Sequence, residues 1–142
     1  MANDKICVFC GEKLRMFQFN DIRCADTLQQ CCKTCLREMA GVNEAERCRR
    51  ALRLNYAISP EKLQAYVDMS EKAEARRPAC TNCGTKLRFK DQQYLENGPG
   101  AGIWFAVIPA YCETCGKCEF YLPEIVEKNE EIAFLVKNDS GE

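Results

Sequence analysis

The chain has 142 residues, 12 of them cysteine and none histidine, with 20 basic against 21 acidic side chains for a formal net charge of −1. That length admits one ordinary domain or two very small ones, and the balance of apolar and charged residues excludes a disordered chain. Without histidine there is no imidazole ligand and no Ser-His or Cys-His nucleophile within the chain, so a metal site here must rest on cysteine.

The opening segment MANDKICVFCGEKLRMF carries no apolar signal core, and no stretch approaches the ~20 apolar residues that cross a bilayer. The expectation is a cytoplasmic protein with no membrane partner. In that compartment thiols stay reduced, and paired cysteines act as metal ligands or redox centres.

Residues 1–41 are expected to form a first metal-binding unit. Cys7 and Cys10 stand at C-x-x-C spacing with Gly11 directly after. Two intervening residues let the chain turn back so that both sulfurs face one ion, and glycine accepts the positive-φ turn this requires. Residues 14–22 alternate loosely, with Phe17, Phe19 and Ile22 apolar, and suit a short hairpin. Cys32 and Cys35 repeat the spacing in the first turn of a predicted helix that stops at Gly41. Knuckle, hairpin and ligand-bearing helix make a treble-clef-like finger. Cys31, beside Cys32, offers an alternative third ligand.

Residues 42–78 read as a helical spacer. Asn43 with Glu46 three residues on resembles a capping box. Ala45, Cys48, Leu52 and Tyr56 then share one face, and Arg49, Arg50 and Arg53 another. Ser59-Pro60-Glu61 signals a second helix start, with Leu63, Tyr66, Val67, Ser70 and Ala73 as its inner stripe.

Residues 79–142 read as a zinc ribbon with an acidic tail. Cys80/Cys83 and Cys112/Cys115 are each followed by glycine, Gly84 and Gly116. Residues 85–94 suit a strand, 97–102 a turn-rich loop, 103–111 the returning strand and 118–122 a third. The tail, with Glu124, Glu127, Glu130 and Glu131 before an apolar stretch at 132–136, suits a helix or an extra strand.

The eight paired cysteines fall in two groups of four, and a shell of four thiolates is the preferred site of structural zinc. Two Zn2+ ions are therefore expected. Iron, as a rubredoxin-like centre or a cluster, suits the same shell, and spacing does not separate the metals. Cys24, Cys31, Cys48 and Cys118 remain, read as small buried hydrophobes or, for Cys118, a reserve thiol.

CTNCGTKLRFKDQQYL and GIWFAVIPAYCETCGKCEFYLPE, within residues 80–124, resemble the short bacterial zinc-ribbon family labelled nucleic-acid-binding zinc-ribbon proteins. They share its knuckle, aromatic strand and final C-x-x-C-G with an aromatic end. Residues 5–41, bounded by CVFCG and CKTCL, resemble an uncharacterised bacterial treble-clef-like zinc-finger domain. The first resemblance implies a ribbon and, by its label, nucleic-acid binding.

Three function classes follow. Arg49, Arg50 and Arg53 on a helix, with Lys86, Arg88 and Lys90 beside Phe89 on a strand, are candidate nucleic-acid contacts, the cations for phosphate and the aromatic for a base. Against this, two dianionic four-thiolate sites take the net charge to about −5, whereas nucleic-acid binders usually carry a basic excess. A protein-interaction or scaffold role draws on Trp104, Phe105 and Tyr121 as a docking face. Catalysis is disfavoured, because four thiolates leave a metal no open position and no small-molecule substrate is evident. The expected architecture is α+β: a finger, a helical spacer and a ribbon.

Overall fold

The computed structural model describes residues 5–96 and 104–140. It is an α+β protein that packs as two compact units, Met1–Asp68 and Met69–Glu142.

In the first unit β1 (Phe19–Cys24) and β2 (Thr27–Cys32) form an antiparallel hairpin, with Cys24 opposite Thr27. The two residues between them, Ala25 and Asp26, both have positive φ, 50° and 60°. That is the turn handedness matching the twist of paired strands. The hairpin therefore lies C-terminal to the one expected in 14–22. No Asn-Gly marks this turn; it is held by Arg23 on Asp26 at 2.7 Å, the Thr27 hydroxyl on the Cys24 carbonyl, and the Ala25 N–H on Glu44 at 2.9 Å. Residues 14–18 instead lead into the hairpin, with Phe17 exposed.

Helix α1 (Lys33–Met39) follows β2 without a linker, and Gly41 just beyond it has φ 81°. Helix α2 (Glu44–Leu52) starts as the sequence signals, the Asn43 side chain accepting from the Glu46 N–H at 2.9 Å. Its buried face is Ala45, Cys48 and Ala51. The stripe expected to continue to Tyr56 stops because the helix ends at Leu52, leaving Tyr56 exposed. Helix α3 (Pro60–Ala75) has Leu63, Val67, Ser70 and Ala73 buried, all from the expected stripe.

Residues 42–78 contribute buried side chains to both cores. Cys48, Ala51, Leu63 and Val67 pack with Val8, Cys24 and Ala25 in the first unit's core, while Ala73 joins the second's. The division between units falls inside α3. Helices this short gain most of their stability by burying an apolar stripe against a core, so each stretch is taken up by its nearest one.

The second unit is a sheet backed by two helices. Strand β5 (Trp104–Tyr111) is central, pairing antiparallel with β3 (Arg88–Phe89), β4 (Gln93–Glu96) and β6 (Cys118–Tyr121). The strand expected over 85–94 is broken in two: the Lys90 N–H still reaches the Pro109 carbonyl at 2.9 Å, and pairing resumes at Gln93. The expected 97–102 loop, and Ile103 of the returning strand, lie outside the described residues. The tail, open between helix and strand, is helical: α4 (Pro123–Glu127) and α5 (Glu130–Ser140). Leu87, Phe89, Ile108 and Ala110 pack with Val126 of α4 and Leu135 of α5.

A buried polar network ties this core together. Arg77, 6 % exposed, donates to Asp139 of α5, to Glu74 and to the Leu87 carbonyl, while Asp139 also accepts from the Phe89 N–H at 3.0 Å. Glu131 of α5 pairs with Lys72 and Arg76, each at 3.3 Å.

Candidate metal centres and binding face

Three of the four C-x-x-C pairs fold into the same knuckle. In each, the N–H of the first cysteine donates to the residue five positions on, Cys7 to Glu12, Cys80 to Thr85 and Cys112 to Lys117, at 2.7–2.9 Å. The glycine N–H returns to the first cysteine's carbonyl at 2.8–2.9 Å. Gly11, Gly84 and Gly116 sit at φ 77°, 79° and 78°, the left-handed region that L side chains enter only at a cost. The fourth pair, which lacks a glycine, is built differently. Cys32 is the N-cap of α1, and its sulfur accepts from the Cys35 N–H at 3.4 Å. Knuckle with helix makes the first site finger-like; knuckle with knuckle makes the second ribbon-like.

The structure brings all eight cysteines together in the expected groups. Cys7, Cys10, Cys32 and Cys35 form one, Cys80, Cys83, Cys112 and Cys115 the other, with sulfurs in each lying within 4.8 Å of one another. Sulfurs about 2.3 Å from a central ion, arranged as a tetrahedron, would stand about 3.8 Å apart. The separations Cys10–Cys32 at 3.9 Å, Cys80–Cys115 at 3.6 Å and Cys83–Cys112 at 3.3 Å lie near that edge, far beyond a disulfide bond of about 2.05 Å. The donor set fits a metal ion in both places. Cys31 is not a ligand in this arrangement; it is fully buried beside the first group. Cys118 lies exposed outside the second.

Local electrostatics favour a first thiolate in each group. Burial pushes the Cys7 thiol up, but N–H groups of Cys32, Cys10 and Phe9 outweigh it and bring it to about 7. At Cys112 the N–H of Cys115, with help from Thr114, brings the thiol to about 6. Each site is also sided: Cys7, Cys35, Cys80 and Cys112 are buried, while Cys10, Cys83 and Cys115 are exposed. The exposed thiols leave each site open to solvent on one side.

The candidate nucleic-acid residues divide sharply. Arg49 and Arg50 both pair with Glu46 on their own helix, at 3.4 and 3.1 Å. Arg53, at the C-cap of α2, is exposed. Lys86 donates to the Arg77 carbonyl at 3.3 Å. Strand alternation sends Leu87 and Phe89 into the core and Lys86, Arg88 and Lys90 outward. Phe89, expected to stack a base beside those cations, therefore cannot: it is 1 % exposed, its ring 5.7 Å from that of Tyr121. Tyr121 is likewise turned to the core side. Phe105 is exposed, and the side chain of Trp104 lies outside the described residues.

Register identifies the residues that do share the open face. Arg88, Tyr111 and Cys118 form one row, Pro109 and Phe120 the next with Lys90 alongside, then Gln93 with Val107, which is itself buried, then Leu95 with Phe105. None of these is acidic. The carboxylates of the same strands, Glu96 and Glu119, alternate to the opposite face. Lys90 lies over the Tyr111 ring at 5.4 Å, and a concavity of about 610 Å³ opens between Lys90, Gln93, Pro109, Tyr111 and Cys118. The sequence did hold a signal for this face, in the alternation of Lys86, Arg88 and Lys90 and of Cys118 and Phe120, but only pairing shows that the two series meet.

No helix among the described residues is long and apolar enough to cross a membrane. No protein-family model, curated protein or solved structure matches the chain.

Proposed function

We propose that this chain is a binding module stapled by two zinc ions, without a catalytic centre, whose second unit holds single-stranded nucleic acid on the open face of its sheet. Zinc is favoured because each donor set is four thiolates at near-tetrahedral separations, the shell that structural zinc prefers. Bound zinc in such a shell supplies cross-linking rather than Lewis acidity, because every coordination position is a cysteine. Cys7, Cys10, Cys32 and Cys35 would hold one ion and Cys80, Cys83, Cys112 and Cys115 the other.

The observation that carries the binding role is the segregation on the open face: Arg88 and Lys90 among Tyr111, Phe120 and Phe105, with every strand carboxylate on the other side. Cations reach phosphates and flat rings stack bases, a combination suited to unpaired strands of any sequence. The overall acidic balance does not oppose this, because screening in physiological salt limits distant charges to about 8 Å while a contacting cation acts directly. A second reading places a protein partner on the same face. It draws on the far end, where Leu95 and Phe105 stand opposite each other, 44 % and 54 % exposed.

Titrating the zinc-loaded chain into labelled single-stranded and duplex oligonucleotides across a salt series decides between them. Single strands should bind at low salt and weaken steeply as salt rises. Tyr111→Ala or Phe120→Ala should each remove about 1–3 kcal/mol, and Arg49→Ala should change little. Absence of single-strand binding at low salt refutes the nucleic-acid reading and leaves the protein partner.

A further inference from the structure

One bulky residue of the first unit holds an unfavourable backbone conformation without packing to support it. Residues 15–18 form a turn, the Gln18 N–H donating to the Arg15 carbonyl at 3.0 Å. Phe17, its third residue, has φ 74°, while Met16 before it stays outside the left-handed region. That is the form of a type II turn, whose third position is ordinarily glycine or asparagine, and for a bulky side chain it is an outlier. The other non-glycine residues with positive φ each serve the fold. Ala25 and Asp26 make the hairpin turn, and the Ser59 carbonyl accepts the Lys62 N–H at the start of α3, at 3.0 Å. Phe17 joins no core cluster: it is 92 % exposed and Met16 78 %, so both faces of the ring stand in solvent.

A costly backbone conformation that no packing explains points to a role outside the fold. We infer that the turn at 15–18 is a second contact for unpaired nucleic acid, in which Phe17 stacks against or between consecutive bases and Arg15 meets a phosphate. The inference rests on the reading of this chain as a nucleic-acid binder and extends it to the first unit. Three features select this occupant. A ring with both faces open accepts a base on each side, which an anchor pressed into a protein pocket does not need. Phenylalanine and methionine, side by side here, are among the apolar side chains that wedge between bases. Within the turn the only charge is Arg15, and Gln18 adds an amide donor and acceptor for base edges, with all four side chains exposed. A closed turn also presents the ring without a loop having to order on binding.

The test irradiates the full zinc-loaded chain with oligothymidylate under ultraviolet light at low salt and maps the cross-linked peptides by mass spectrometry. A thymine adduct on Phe17 is expected beside adducts in the second unit. Phe17→Gly, whose backbone suits φ 74°, should keep its zinc and a denaturant midpoint at least as high as wild type, yet weaken oligothymidylate binding about tenfold. Phe17→Tyr should restore most of that loss. Undiminished stability with lost binding is a combination that a merely structural residue does not give. Adducts confined to the second unit, or an affinity unmoved by Phe17→Gly, overturn the inference and leave the open face of the second unit standing. If that unmoved affinity comes with lost binding to phosphatidylserine vesicles, the tip belongs to a lipid surface. Zinc lost from Phe17→Gly assigns Phe17 a structural role and overturns the inference too. A wild-type chain that binds no oligothymidylate at low salt refutes the nucleic-acid reading itself.

Discussion

At Gly116 nothing lies within 4 Å of where a Cβ would stand, yet φ is 78°. The same holds at Gly84, at 79°. Backbone conformation alone demands glycine at these two knuckles, without help from crowding. Gly116→Ala should therefore cost about 1–2 kcal/mol with little change in zinc affinity once folded, read from denaturant midpoints of the zinc-loaded chain. A loss well beyond that range would mean that the knuckle cannot form around an alanine at all. Cys31 and Cys32 make the complementary point about single residues. They are adjacent and chemically identical, and the sequence left both open as ligands. Pairing in β2 separates them: Cys31 faces the core opposite Asn20, while Cys32 ends the strand as the N-cap of α1, its sulfur in the four-cysteine group. Alternation along a strand, invisible in spacing, made the choice.

At the scale of elements, the acidic tail becomes a structural part of the second unit because Asp139 receives Arg77. The side chains of this pair are 4 % and 6 % exposed. Removing one partner of such a pair strands the other charge in the interior, at about 3–5 kcal/mol. Arg77→Met should destabilise the second unit by that amount, and Asp139→Asn by less, since an amide still accepts from the Phe89 N–H. The cost also depends on pH. The Arg77 hydrogen bond holds the Glu74 carboxyl below its ordinary range. A lowered folded value means that stabilisation is full above the ordinary carboxyl range and is lost as pH falls from there through the lowered folded value. The gap between wild type and Arg77→Met should accordingly narrow below about pH 4.5; a gap that widens on acidification contradicts the assignment. Most element types were legible beforehand, because caps and periodicity are local: Asn43 capping Glu46, Pro60 opening α3, glycine closing each knuckle. The hairpin at Ala25-Asp26 was not, because its turn residues are atypical and its support comes from Glu44, distant in the chain. The tail was not, because four glutamates beside an apolar stretch suit either state until a sheet face needs covering.

For the molecule as a whole, each unit of about 70 residues sits where a single hydrophobic core supplies little surplus stability. The core clusters contain ligand cysteines themselves: Cys7 and Cys35 in the first unit, Cys80 and Cys112 in the second. Structural zinc contributes on the order of 10–16 kcal/mol of apparent binding energy at neutral pH, comparable with the whole net stability of a domain, roughly 5–15 kcal/mol. Chelation should therefore remove two ions per chain and collapse the near-UV circular dichroism, with recovery on adding zinc back. A metal-free chain that keeps its near-UV signal would show that packing alone suffices.

The chain by itself determined the chemistry of its cross-links. Four C-x-x-C pairs, no histidine and three following glycines specify two four-sulfur groups, because knuckle geometry is set by a few consecutive residues. Only tertiary structure decided which side chains those cross-links present to solvent. Phe89 went inward and Tyr111 and Phe120 outward, Arg49 and Arg50 were absorbed by Glu46 while Arg53 stayed exposed, and residues 42–78 sent side chains to both cores. Each of these depends on which strand or helix lies opposite, a partnership between residues far apart in the chain that no local pattern encodes.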